Sequence, residues 1–67
     1  MLWTVRIQER GKRAREIRRR PVTTLSIFLW YAEAKPKDVE RVMLYTFHGR
    51  LILFWDCNAG LQPALER

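Results

Sequence analysis

Six of the nine residues from Lys12 to Arg20 are basic: Lys12, Arg13, Arg15, Arg18, Arg19 and Arg20. Side chains of this type at this density do one kind of chemistry well. They neutralise phosphates and release condensed counterions, which gives salt-dependent binding with little sequence discrimination. Arg6 and Arg10 extend the set towards the N-terminus. Arginine-rich segments also fold on binding RNA, and ten of the thirteen basic residues are Arg, the better bidentate phosphate ligand. The competing reading of the run is a solvated face that keeps an apolar body soluble.

The charge is asymmetric. Residues 1–20 hold eight basic side chains against two acids, a net of +6, whereas residues 21–67 hold five of each and are neutral. Nucleic acid is the expected partner, an acidic protein surface the next, and anionic lipid ranks third; a membrane partner is not expected.

No other residue set points to chemistry. His48 has no second histidine beside it, and Cys57 has no cation or histidine nearby in sequence to lower its thiol pKa. One His and one Cys do not make the usual Cys/His zinc site. Asp38, Glu40 and Asp56 are acids at strand ends or a helix start, with nothing to fix a carboxylate pair. Gly11, Gly49 and Gly60 are isolated and build no phosphate-cradling loop. The expectation is a non-enzymatic protein with no catalytic residues, metal or cofactor. Trp3, Trp30 and Trp55 are candidates for stacking on bases, but their spacing fits packing better.

The elements that would carry these residues form one small domain over 1–67, with a basic arm at 10–20 and a C-terminal tail at 58–67. Leu2 to Glu9 alternates, with Trp3, Val5 and Ile7 on one side, which reads as a half-buried strand. Gly11 marks a turn. Residues 12–20 are open between a helix, favoured by propensity, and an extended edge strand whose charges discourage aggregation. Thr23 to Ala32 is rich in β-formers, and Leu25, Ile27, Leu29 and Tyr31 oppose Phe28 and Trp30.

After Pro36 two readings compete: a helix with Val39, Val42, Met43 and Phe47 on one face, or a short turn followed by a strand that ends at a His48-Gly49 hairpin. The hairpin is slightly favoured. Arg50 to Asp56 reads as a strand, apolar on both faces.

The expected fold is α+β: a three- to four-stranded antiparallel sheet with strands near 2–9, 22–32, 41–47 and 50–56. One short helix lies either in the basic segment or after Pro36. A mostly-β meander or small barrel is the alternative. A single core in a chain this short rarely nets more than about 3–5 kcal/mol, and a lone cysteine excludes an internal disulfide. One small sheet cannot cover both faces of its apolar strands. A homodimer or partner interface through Phe28, Trp30 and Phe54 is therefore expected.

That surplus also suits a second role, a small phage- or plasmid-type accessory or inhibitor protein docking on a protein through the apolar face and on an acidic groove through the arm. No leader pattern precedes an apolar core at Met1–Arg6, and no apolar run approaches the roughly 20 residues of a spanning helix, so a cytoplasmic location is expected.

Overall fold

Alternation along β1 (Trp3–Glu9) places Val5 and Ile7 on one face, where both are fully buried, and Thr4, Arg6 and Gln8 on the other. A computed structural model describes residues 1–64. In it β1 is flanked by β2 (Arg15–Arg19) and β3 (Val39–Tyr45), both antiparallel to it. β4 (Leu51–Asp56) pairs with β3, and β5 (Gly60–Pro63) with β4, giving one antiparallel sheet in the order β2-β1-β3-β4-β5. A single helix, α1 (Pro21–Ala34), connects β2 to β3. Since β2 and β3 are each antiparallel to β1, they run in the same direction with β1 between them. The helix is thus the crossover of a split β-α-β unit.

The α+β expectation holds, with five strands rather than three or four. The helix, however, lies where the sequence reads as a strand. Residues 22–32 are helical because length and packing overrule the alternation: 14 residues exceed an ordinary strand, and a segment apolar all round satisfies both periods. Thr24, Ile27, Phe28 and Tyr31, spaced i, i+3, i+4 and i+7, form the stripe that meets the sheet.

Pro21 occupies the first turn, where its missing N–H costs nothing. Buried Thr24 is satisfied locally, its Oγ1 donating to the Pro21 carbonyl at 2.8 Å. Lys35 closes the helix in the left-handed conformation (φ 49°), and its N–H donates to the Tyr31 carbonyl at 2.9 Å.

Neither expected helix position survives. The basic segment is the turn and second strand of a hairpin, the extended-edge reading. After Pro36 a turn leads into β3, the strand reading, displaced two residues towards the N-terminus. Of the stretch read as a tail, Gly60–Pro63 is an edge strand; residues 65–67 lie outside the described residues.

The core is one layer between α1 and the sheet: Val5, Ile7, Phe28, Val39, Val42, Leu44 and Trp55. The helix packs mainly on β3, β1 and β2. At roughly 1.5–3 kcal/mol per large buried apolar side chain, this layer is the main source of stability.

Candidate nucleic-acid interface

The β1–β2 hairpin gathers the basic residues because its strands are bridged by a tight, hydrogen-bonded turn. Gly11 takes φ 72°, a conformation that side chains resist. Lys12 N–H donates to the Glu9 carbonyl at 3.1 Å, and Gln8 Nε2 donates to the Lys12 carbonyl at 2.8 Å. This places Arg10, Lys12 and Arg13 at the tip. Register then divides the remaining cations between two faces. Arg15 and Arg19 stand opposite Ile7 and Trp3, on the helix side, whereas Arg18 stands opposite Thr4 and joins Arg6 on the bare side. Arg20 is the N-cap position of α1. All eight basic residues are exposed, and they wrap one edge of the sheet rather than forming a flat patch.

Three of the eight are engaged with acids: Arg6 with Glu16 at 3.9 Å, Arg10 with Glu40 at 3.5 Å and Arg15 with Glu9 at 3.7 Å. Such exposed pairs are worth about 0–1 kcal/mol. Lys12, Arg13, Arg18, Arg19 and Arg20 meet no carboxylate among the described residues. Arg19 donates from Nη1 to the Arg18 carbonyl at 2.6 Å.

Among the aromatic residues Phe28 departs from the sequence expectation, whereas Trp3 and Trp55 follow the packing reading. Phe28 is 0 % exposed, in the core rather than at an interface. Trp55 is also core, and Trp3 packs against that core from the helix side. Trp30 is 58 % exposed on the outer surface of α1, its ring edge-on to Tyr31 with centroids 5.0 Å apart. Phe54, opposite Met43, lies half-buried on the bare sheet face.

Tyr45 and Phe47 are the residues that sequence reasoning does not bring to the site. Tyr45 pairs with Thr4, so Arg18, Thr4 and Tyr45 form one row across three strands of the bare face, at the strand spacing of about 4.8 Å. Beyond Tyr45, in the β3–β4 turn, the Phe47 ring lies against His48 with centroids 3.8 Å apart. The signal that could find Tyr45 is the β3 register: once Val42 and Leu44 face the core, Met43 and Tyr45 must face away.

The acids considered as a carboxylate pair are taken up separately. Glu40 meets Arg10, while Asp56 accepts from Arg41 Nε at 3.3 Å and from the Asn58 N–H at 2.8 Å. The latter hydrogen bond is the chief reason its carboxyl titrates below the usual value, with Arg41 adding to it against partial desolvation. Cys57 is a free, exposed thiol. Among the described residues no group of three His, Cys, Asp or Glu side chains could hold a metal ion, and no helix is long and apolar enough to cross a membrane. The chain matches no known family, no curated protein and no solved structure.

Proposed function

We propose that this chain is a non-enzymatic nucleic-acid-binding module that works in the cytoplasm and contacts phosphates through its basic hairpin. The observation that carries the reading is the group Lys12, Arg13, Arg18, Arg19 and Arg20, exposed along one sheet edge with no carboxylate partner among the described residues. Glu16, Glu40, Glu9 and Asp56 are met by Arg6, Arg10, Arg15 and Arg41, and none of these four acids lies against the five, whose charge is left for a partner. Arg6, Arg10 and Arg15 extend the field, since exposed ion pairs are cheaply exchanged for phosphate. Filter binding over about 50–200 mM salt tests it: affinity falls steeply as salt rises, and binding indifferent to salt overturns it.

A second reading, that of a small accessory or inhibitor protein, has its own observation. Val22, Leu25, Leu29 and Trp30 are exposed on α1, and Leu29 faces Leu61 of β5 across a groove that also reaches Trp55. This apolar surface suits a protein partner or a homodimer. Nuclease treatment during purification separates the readings: a stoichiometric protein that stays bound favours the second, and loss of bound material the first.

A further inference from the structure

The bare sheet face has a cavity of about 390 Å³, its walls including Thr4, Arg6, Glu16, Arg18, Tyr45 and Phe47. That size is within the roughly 300–1,000 Å³ range of small-ligand pockets. Its chemistry is graded across the sheet. Glu16 compensates Arg6 at 3.9 Å, and Arg18, which has no carboxylate among the described residues, leaves the β2 side net positive. The opposite side is aromatic. Tyr45 donates its hydroxyl to Met43 Sδ at 3.5 Å, two residues back along the same face, so its ring leans along the sheet instead of standing off it. Phe47 is 48 % exposed and backed by the His48 ring.

Cation on one side and π-faces on the other, about two strand spacings apart, is the arrangement that a phosphate and its own unstacked base require. A duplex keeps its bases stacked and offers a shallow row of phosphates, which would leave the aromatic side unused. We infer that the bare face selects single-stranded nucleic acid, with Arg18 on a backbone phosphate and a base against Phe47 and Tyr45. This deepens the phosphate-binding reading of the hairpin and rests on it.

The test is fluorescence anisotropy of the full chain with labelled oligo-dT, oligo-U and a mixed-sequence duplex of equal length. Both single strands bind more tightly than the duplex. Phe47→Leu, which keeps apolar bulk but loses the ring, weakens single-strand binding about 5- to 150-fold. Its dependence on salt and its affinity for the duplex stay unchanged. Phe47→Tyr, which keeps a ring, binds as the parent does, and circular dichroism of each variant confirms that it is folded. A duplex bound as tightly as the single strands, or a folded Phe47→Leu with parental affinity, overturns the inference while leaving the phosphate-binding reading standing. Failure of every probe at low salt overturns both.

Discussion

Arg15 Nη2 donates to the Tyr31 hydroxyl at 3.0 Å, joining the edge strand of the basic hairpin to the helix that follows it. Ile17, the one apolar residue of β2, packs against the core beside this link. An isolated strand as charged as β2 would not stay on a sheet by packing alone. Ile17, the ladder to β1 and the Arg15 hydrogen bond are what hold it. The basic residues therefore do two jobs, and the division is testable.

Arg15→Ala is expected to cost stability, about 0.5–1.5 kcal/mol for the missing hydrogen bond and packing, with a smaller loss of nucleic-acid affinity than Arg18→Ala. Arg18→Ala is expected to do the reverse. Urea denaturation and anisotropy on the same two proteins check the assignment.

Phe28→Ala removes the largest fully buried side chain. A loss of about 3–5 kcal/mol is expected, comparable to the whole stability of a domain this size, so the variant loses its cooperative thermal transition. Trp30→Ala, on the outer surface of the same helix, should cost no more than about 1 kcal/mol. If α1 seats a second copy, Trp30→Ala also removes any concentration dependence of Tm and shifts the light-scattering mass to that of one chain.

The elements most legible in the sequence are those with one buried and one exposed face, or with a strong turn beside them. β1 can be read because Val5 and Ile7 alternate with Arg6 and Gln8, and β4 because Gly49, at φ 82°, precedes a short β-rich run. α1 reads as a strand since Val22, Leu25, Leu29 and Trp30 are apolar on its outer side, which erases the helical period. β5 escapes notice because Gly60-Leu61-Gln62-Pro63 has no β-branched residue, and Pro63 is tolerated only because the strand is an edge. The candidate site is half legible: charge locates the hairpin, but which cations share a face with Tyr45 depends on cross-strand register, and no single segment carries that.

Asp56 supplies the pH dependence. Its folded pKa lies below the ordinary carboxylate value, chiefly through the Asn58 N–H and secondarily through Arg41. A depressed folded pKa means that the unfolded chain takes up the proton first. The contribution is therefore fully present above the unfolded value of about 3.9 and is lost as pH falls through the lower folded value. Asp56→Asn is expected to flatten the fall of the urea midpoint below about pH 4 and to leave the region above pH 5 flat. An unchanged acid limb would contradict this.

Lys35 ends α1 at φ 49°, where glycine is at ease and other residues are not. Lys35→Gly is expected to raise stability by about 0.5 kcal/mol, read as a higher urea midpoint at unchanged slope. A lower midpoint would mean that the Lys charge at the helix C-terminus outweighs the backbone term.

The most direct test of the central claim is the salt slope of single-strand binding for the parent chain beside a variant with Arg18, Arg19 and Arg20 all replaced by Ala. Every phosphate left unneutralised should make log K against log[salt] shallower by about 0.7. The folded triple variant is thus expected to bind more weakly at low salt, with a slope shallower by about 2. An identical slope and affinity in the two proteins would contradict the account, because the exposed arginines of the hairpin would then have no phosphate to meet.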